Sequence, residues 1–234
     1  MNLRYKSLFF DLDDTLWDTV CNNRECLEEI YVDYRFDRHY DSFEAFYDRY
    51  MLCNLSLWQR YRNHEIDRHT LIVERLLHVL RPMGIDDVEA ALHINRDYLR
   101  RTTEKNRLVP GAVELLDALK PYYRMFILSN GFREIQSLKL QHAGLTTYFE
   151  KLILSEDACI QKPNRAIFDY ALINTNSRRN ESLMIGDSWE ADIEGARHAG
   201  IDQLWFNPGR LPVKGFLPTY EVRFLSEVRT ILQY

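Results

Sequence analysis

The sequence predicts an α/β protein in which a doubly wound parallel sheet carries an inserted bundle of helices. Short apolar stretches alternate with helical patterns from residue 110 onward, as in parallel sheets covered by helices on both faces. Polar residues directly follow these stretches, as expected where parallel strands end at a common edge. Between the first and second stretches, residues 17–103 show only helical periodicity.

The first apolar stretch, Leu8–Phe10, is predicted to be a buried strand that ends at Asp11. Asp13 and Asp14 follow at once, so the strand ends in a cluster of carboxylates. Clustered like charges repel and raise each other's pKa, which brings no gain in stability. We therefore expect a cation to hold Asp11 and Asp13.

The insert after this strand, residues 17–103, is predicted to be a separate domain of about four helices. Its clearest helix carries one apolar stripe from Phe43 to Tyr61, with Asp41 or Ser42 as the N-cap. Because the insert follows the end of the first strand, we expect it to rise above that edge of the sheet as a lid.

Two further helices of the insert are marked by their caps. One is predicted to begin at Asp67 and to finish before Pro82, because proline interrupts a helix. Another is predicted to begin at Asp86, whose side chain can cap it while Glu89 completes a capping box. The pattern is that of a helical bundle.

The α/β domain is expected to comprise residues 1–16 and 104–234. Its further strands are predicted at Met125–Leu128, Lys151–Leu154, Leu183–Ile185 and Leu204–Phe206. The helices predicted around them are Pro110–Lys120, Phe132–Ala143, Pro163–Asn174 and Glu190–Ala199. A short strand at Tyr220–Val222 and a last amphipathic helix complete the domain.

Composition and charge exclude several classes of function. The chain has 234 residues, 46% of them hydrophobic and 28% charged, as in soluble globular proteins. Its net charge of −5 comes with no basic patch, which argues against a nucleic-acid polymer or an anionic membrane as partner. Without a signal-peptide core or a membrane span, a cytoplasmic location is expected. The cysteines lack metal-site spacing and are expected to be free thiols: Cys21, Cys26, Cys53 and Cys159.

Two segments after the second predicted strand carry candidate substrate contacts. Ser129, Asn130 and Gly131 offer a hydroxyl and successive backbone N–H groups that can cradle a phosphate, although a simple turn explains them equally well. Lys162 stands before Pro163 at a predicted helix start, where a positive charge is unfavourable. That placement favours a functional cation.

Asp187 and Asp192 bracket the predicted start of another helix. Either residue could be an N-cap, as could Ser188, because helix N-termini favour polar and anionic groups. If they converge with Asp11 and Asp13, they also fit a hard ion with oxygen ligands. Mg²⁺ takes one or two carboxylates together with waters and phosphate oxygens, so the sequence predicts a candidate magnesium site.

Together these residues resemble the haloacid dehalogenase (HAD) superfamily of aspartate-nucleophile phosphohydrolases. Its four signatures are matched in order by Asp11–Thr15, Ser129–Gly131, Lys162–Pro163 and Gly186–Asp192. Each signature alone is weak, but four in the right order, each at a predicted strand end or helix start, are specific. The resemblance implies a Rossmann-like core with a helical C1-type cap inserted between the first and second signatures.

The resemblance also implies Mg²⁺-dependent hydrolysis of a phosphomonoester through an aspartyl-phosphate. Asp11 would attack phosphorus, and Asp13 would protonate the leaving oxygen and then activate water. Ser129 and Lys162 would stabilise the transferring phosphoryl group.

The ligands that the resemblance implies fall into three groups. The metal ligands are Asp11, the backbone carbonyl of Asp13, and Asp187. Asp192 and Thr15 are expected in the outer shell of the metal site. Expected substrate contacts are Ser129, Asn130, Gly131 and Lys162. Trp17 is a further candidate on its position, because it lies closer in sequence to the nucleophile than the other aromatic residues of the insert. Rings at helical spacing in the insert are more typical of a core than of a ligand site.

The expected substrate is a pyrimidine nucleoside monophosphate. The segments Gly186–Ser188, Ala199–Asp202 and Trp205–Pro208 look most like those of pyrimidine 5′-nucleotidases. The alternative is a sugar-phosphate or other small-metabolite phosphatase or mutase of the same superfamily.

Three rivals are disfavoured. A haloacid dehalogenase would gain nothing from Asp13, because a halide leaves without protonation. Phosphonate-cleaving members use a cap lysine, and residues 8–103 contain none. A phospho-receiver or a non-catalytic binding module would need neither an acid at Asp13 nor a lid.

Overall fold

The computed structural model describes residues 3–232. The chain divides into two compact units, Met1–Thr19 with Asn106–Tyr234 and, separately, Val20–Lys105. The junctions fall a few residues later than those expected after residues 16 and 103. That the second unit acts as a lid stays a prediction.

The first unit is built on one six-stranded sheet whose paired strands all run parallel. The strands are β1 (Ser7–Phe10), β2 (Arg124–Ser129), β3 (Lys151–Leu154), β4 (Ser182–Gly186), β5 (Asp202–Phe206) and β6 (Tyr220–Val222). Their order across the sheet is β3-β2-β1-β4-β5-β6, which confirms the doubly wound parallel sheet. The strand order reverses between β1 and β4, and such switch points bind ligands at the carboxyl ends of the strands.

Both faces of the sheet are buried. Leu8 and Phe10 belong to one hydrophobic cluster, whereas Phe9 lies in a second cluster and stacks on Phe126 with ring centroids 5.2 Å apart. A strand covered on both faces is apolar at every position, which explains why β1 shows no alternation of polar and apolar residues.

The second unit contains α1 (Thr19–Asp33), α2 (Phe43–Arg62), α3 (Arg68–Leu80) and α4 (Val88–Glu104). Ser42 caps α2 and Asp67 caps α3, as expected. The core of the unit is rich in aromatic rings: the centroid of Phe46 lies 4.7 Å from that of Phe36 and 5.5 Å from that of Tyr31. The first part of the stripe on α2, with Phe46 and Tyr50, therefore packs into this core, whereas Leu55 further along the helix is exposed.

The predicted N-cap of α4, Asp86, is wrong by one residue. The N-cap is Asp87, whose side chain accepts the N–H of Glu89 at 2.8 Å. Asp86 instead forms an ion pair with Arg81 at 2.9 Å. Since the helix begins at Val88, Asp87 is the residue placed to reach its first free N–H groups.

The sheet is covered by α5 (Ala112–Leu119), α6 (Arg133–His142), α7 (Ser155–Ala158), α8 (Arg165–Asn174), α9 (Gly195–His198) and α10 (Val228–Leu232). A π-helical segment, Trp189–Glu194, leads into α9. No helix within residues 3–232 is long and apolar enough to cross a membrane, and the cytoplasmic location stays a prediction. The four cysteines are free thiols, as expected.

Candidate active site

Three neighbouring strands place polar residues at one edge of the sheet. Asp11 follows β1, Ser129 ends β2 and Asp187 follows β4. Lys162 and Asp192 reach the same place from the segments before α8 and α9. Nζ of Lys162 lies 2.7 Å from Oδ1 of Asp11 and 2.6 Å from Oδ1 of Asp192. The signatures therefore meet at the switch point of the sheet.

Lys162 is a buried cation whose three protons are all engaged. Besides the two carboxylates, Nζ donates to the carbonyl oxygen of Leu128 at 2.7 Å, and the side chain is only 2% exposed. Burial alone would lower the pKa of Lys162, but Asp11 and Asp192 raise it above its ordinary value. Lys162 is therefore a fixed positive charge beside Asp11.

The position of Lys162 has a different cause from the expected one. α8 begins at Arg165 with Asn164 as its N-cap, so Lys162 does not stand at the helix start. Asn130 holds its backbone instead: Nδ2 of Asn130 donates to the carbonyl oxygen of Lys162 at 2.9 Å, and the N–H of Lys162 donates to Oδ1 of Asn130 at 2.8 Å. The Asn130 side chain, predicted to contact substrate, is engaged in positioning Lys162.

Asp11, Asp187 and Asp192 form a cluster in which one oxygen of each lies within 4.8 Å of the others. Thr15 fixes Asp187: its hydroxyl donates to Oδ1 of Asp187 at 2.7 Å and accepts the N–H of Asp187 at 3.0 Å. A side chain at Gly186 would collide with the Asp192 carboxylate. The glycine of this signature is therefore required for space.

The protein's own charges leave this cluster short of positive charge. Burial raises the pKa of Asp11 to about 7, although Lys162 opposes the rise. Burial, with repulsion from Asp11 and Asp192, raises the pKa of Asp187 well above its ordinary value. Both oxygens of Asp192 accept hydrogen bonds, Oδ1 from Lys162 and Oδ2 from the N–H of Ser188 at 3.1 Å, whereas Lys162 contacts Asp11 through Oδ1. The carboxylates of Asp11 and Asp187 therefore remain as hard oxygen ligands that fit a divalent cation such as Mg²⁺.

We expect the metal-free protein to lose stability as the pH rises from about 4 to about 7. In this window folded Asp11 still binds a proton while the unfolded chain has released it, so the free energy of unfolding falls with pH. Asp97 does not contribute to this slope. Burial would raise its pKa, but hydrogen bonds from Arg101 and Arg100 lower it, so Asp97 titrates below the window. The test is the melting temperature in EDTA at several pH values.

The matched control for this measurement is Asp11→Asn, which should reduce the slope to the part that Asp187, whose pKa is also raised, contributes. Added Mg²⁺ should raise the melting temperature more at the upper end of the window, since metal ligands must be deprotonated. An equal slope in the wild type and in Asp11→Asn would contradict the prediction.

Asp13 lies in a different environment from Asp11. Its carboxylate accepts hydrogen bonds from Nζ of Lys139 at 2.6 Å, Nε2 of Gln136 at 2.7 Å and Oγ1 of Thr19 at 3.0 Å. Burial would raise the pKa of Asp13, but Lys139 and the three hydrogen bonds lower it below its ordinary value. The environments of the two aspartates differ, as expected. With the protein's charges alone, however, Asp13 rather than Asp11 has the lower pKa.

Gln136 and Lys139 were missed by the sequence analysis. Both are buried side chains of α6, on the face that also carries Leu140. A signal was present, because with Phe132 they fall at the i, i+4, i+7, i+8 spacing of a buried stripe. An amide and an ammonium thus stand where apolar residues are the rule.

Trp17 is not placed to contact a substrate. Its side chain is completely buried in the hydrophobic core of the α/β unit. Nζ of Lys139 lies 3.9 Å from the centroid of its ring, a cation–π contact. The ring therefore packs against the core and Lys139, and in this arrangement it offers no exposed face for a base.

Comparison with known proteins assigns the family. The profile of the haloacid dehalogenase-like hydrolases matches residues 5–200. YfnB of Bacillus subtilis is 32% identical over 98% of this chain and 96% of its own length, and its crystal structure bound to magnesium has a TM-score of 0.88, with 29% identity and 99% and 100% of the two chains covered.

Two further relatives are named for activities on different substrates. The pyrimidine 5′-nucleotidase YjjG of Escherichia coli is 31% identical over 98% of this chain and 99% of its own. The ribulose-1,5-bisphosphate 5-phosphatase of Halopiger xanaduensis is 30% identical over 86% of this chain and 84% of its own.

The chain belongs to the haloacid dehalogenase-like hydrolases, since the family profile covers most of its length. Within that family, relatives that align over most of this chain are named as a nucleotidase and a phosphatase.

Proposed function

We propose that the protein hydrolyses phosphomonoesters with Mg²⁺ through a phosphorylated Asp11, and that its substrate is a pyrimidine nucleoside monophosphate. The observation that carries the mechanism is the surroundings of Asp11. A buried ammonium lies 2.7 Å from it, two further carboxylates lie close by, and Asp13 stands in a separate hydrogen-bonded environment.

The metal site is supported by the chemistry of its ligands. Asp11, Asp187 and the backbone carbonyl of Asp13 would hold Mg²⁺. A phosphate dianion about 4 Å from one carboxylate is repelled by roughly 4 kcal/mol at an effective dielectric constant near 20, taking unit charges. When bound, Mg²⁺ supplies positive charge against this repulsion and polarises the phosphoryl group.

The side chains divide the reaction between them. A carboxylate oxygen of Asp11 attacks phosphorus while the bond from phosphorus to the leaving oxygen breaks, and the leaving oxygen takes a proton from Asp13. Asp13 must therefore carry a proton in the substrate complex, although its donors lower its pKa and favour the carboxylate in the free protein. Asp13, now a carboxylate, then accepts a proton from water as the water oxygen attacks the phosphorylated Asp11, which releases phosphate. The hydrogen bonds to Asp13 favour the carboxylate form that this second step needs.

Lys162 and Ser129 support both steps. Lys162 keeps a positive charge beside Asp11, and this charge opposes the gathering of negative charge as phosphate approaches. The Ser129 hydroxyl lies at the end of β2, next to β1, where it can donate to a phosphoryl oxygen. The electrostatic part of catalysis would therefore come from fixed groups of the α/β unit.

The substrate class rests on full-length similarity. YjjG is aligned over nearly all of both chains, so the similarity includes the helical unit as well as the core. A sugar-phosphate phosphatase is the second candidate, because the ribulose-1,5-bisphosphate 5-phosphatase has a nearly equal identity, 30%, over a shorter part of both chains.

A dehalogenase or a receiver fits the site less well. Three donors surround Asp13, and two of them, Gln136 and Lys139, are buried side chains. Displacement of a halide needs no acid, and a receiver needs a long-lived phosphoryl group. Neither would use this arrangement.

The test is phosphate release from nucleoside 5′-monophosphates, sugar phosphates and p-nitrophenyl phosphate, with Mg²⁺ and with EDTA. We expect release only with the metal, with kcat/KM for UMP, dUMP or dTMP roughly tenfold or more above the rest, a difference of about 1.4 kcal/mol. Uridine 3′-monophosphate is the matched control. A sugar phosphate ahead of the nucleotides would favour the second candidate, and no release from any ester would contradict the mechanism.

A further inference from the structure

Two side chains outside the four signatures reach into the site from α6. Nε2 of Gln136 donates to Oδ2 of Asp13 at 2.7 Å and to Oγ of Ser129 at 2.7 Å. Lys139, three residues along the helix, donates to Oδ1 of Asp13 at 2.6 Å. Gln136 is 1% exposed and Lys139 is 5% exposed. Burial of an amide and an ammonium is unfavourable unless both are hydrogen-bonded, and these bonds lead to Asp13 and Ser129.

The hydrogen bonds of Ser129 show what Gln136 does. A hydroxyl has one proton to donate and two lone pairs that accept. Oγ of Ser129 accepts from Nε2 of Gln136 at 2.7 Å and from the N–H of Gly131 at 3.1 Å. Both accepting positions are therefore filled. Within residues 3–232 the Ser129 hydroxyl donates to no other group, so its proton is left for a ligand.

Gly131 makes room for this arrangement. A Cβ at Gly131 would lie 2.5 Å from both Cδ and Nε2 of Gln136, which is shorter than any normal contact. The backbone of Gly131 is not in the left-handed region, so the glycine is required for space rather than for conformation. The second signature and α6 are thus fitted to each other.

Lys139 is held in place from two sides. Its Nζ lies 2.6 Å from Oδ1 of Asp13 and 3.9 Å from the centroid of the Trp17 ring. With Gln136 on the other carboxylate oxygen, both oxygens of Asp13 are fixed. A carboxylate held by both oxygens has a defined direction toward the place where the leaving oxygen and the attacking water would stand.

We propose that Gln136 and Lys139 are positioning residues for phosphoryl transfer. Gln136 turns the Ser129 proton toward the phosphoryl group, and Gln136 and Lys139 together orient Asp13. This inference rests on the proposed function.

The test for Gln136 is a double-mutant cycle with Ser129, read as kcat/KM for p-nitrophenyl phosphate. We expect Gln136→Met to lower kcat/KM by roughly 10- to 100-fold, less than the roughly 10²- to 10³-fold loss for a donor that itself contacts the reacting group, because Gln136 acts through Ser129. In the Ser129→Ala background the same change should cost less than threefold. The leaving group of this ester needs no proton from Asp13, so here Gln136 would act only through a hydroxyl that is no longer there. Equal losses in both backgrounds would overturn the inference for Gln136.

The test for Lys139 is the dependence on the leaving group. Lys139→Met should lower single-turnover phosphoryl transfer from a nucleoside monophosphate roughly tenfold more than from p-nitrophenyl phosphate, whose leaving group departs without a proton. Lys139→Arg should restore part of the difference. A uniform loss for both esters would assign Lys139 a structural role only and overturn its part of the inference.

Two controls keep these outcomes separate. Gln141→Met changes an exposed glutamine of the same helix and should leave both assays unchanged. If Gln136→Met does not fold by its melting curve, Gln136→Glu retains the shape of the side chain but removes its donors, and it should show the same non-additivity with Ser129→Ala. If the wild type is active and the Gln136 and Lys139 variants behave like Gln141→Met, the inference is overturned and the proposed function stands. An inactive wild type would contradict the proposed function itself.

Discussion

Replacing Asp11 with asparagine should lower kcat by on the order of 10⁴-fold or more, because an amide cannot form the acyl-phosphate bond. The folded state should survive the change. Lys162 would keep its bonds to Asp192 and to the carbonyl oxygen of Leu128. Removing one of three clustered carboxylates also relieves repulsion, so the melting temperature in EDTA near neutral pH should stay level or rise.

A suitable control for Asp11→Asn is Asp117→Asn, the same chemical change at an exposed position of α5. It should retain full activity. Substantial turnover by Asp11→Asn, with an unchanged Mg²⁺ requirement, would contradict the covalent mechanism.

Replacing Asp13 with asparagine should separate the two chemical steps. With p-nitrophenyl phosphate the leaving group departs as an anion, so Asp11 can still be phosphorylated. The second step lacks its base and should slow by roughly 10²- to 10⁴-fold, the usual contribution of general acid–base catalysis. The time course should show a burst of about one nitrophenolate per enzyme, followed by slow turnover.

With a nucleoside monophosphate, Asp13→Asn should instead show little burst, because the leaving alkoxide then needs a proton. The contrast between the two substrates is the internal control of this variant. A new amide among the donors Lys139, Gln136 and Thr19 also costs hydrogen bonds, so a melting curve must accompany the kinetics. An unchanged steady-state rate would remove Asp13 from the acid–base role.

The sheet was predictable from sequence because its strands are buried on both faces. Leu8–Phe10 shows an unbroken apolar run and Asp11 ends it, so the strand and its functional end appear in the same few residues. The start of α4 was less certain, since Asp86 and Asp87 are both good caps and only the ion pair of Asp86 with Arg81 separates them.

The role of a site residue was predictable from sequence only where a short signature around that residue indicates it. The engagement of Asn130 with Lys162 depends on a contact between residues 32 positions apart. Gln136 is separated from Asp13 by 123 positions, and although helical spacing places Gln136 on the buried stripe of α6, that spacing does not show which group it contacts. Such roles follow from tertiary packing, which brings α6 and the loop after β1 together.

Capture of the phosphoryl-enzyme would show directly whether Asp11 is the nucleophile. Asp13→Asn would be mixed with p-nitrophenyl phosphate and Mg²⁺, quenched in acid during the burst, treated with borohydride to reduce an acyl-phosphate, and mapped by peptide mass spectrometry. We expect one phosphoryl group per chain before reduction and homoserine at position 11 afterwards. A burst with no protein-bound phosphate, or with phosphate on a residue other than Asp11, would contradict that expectation.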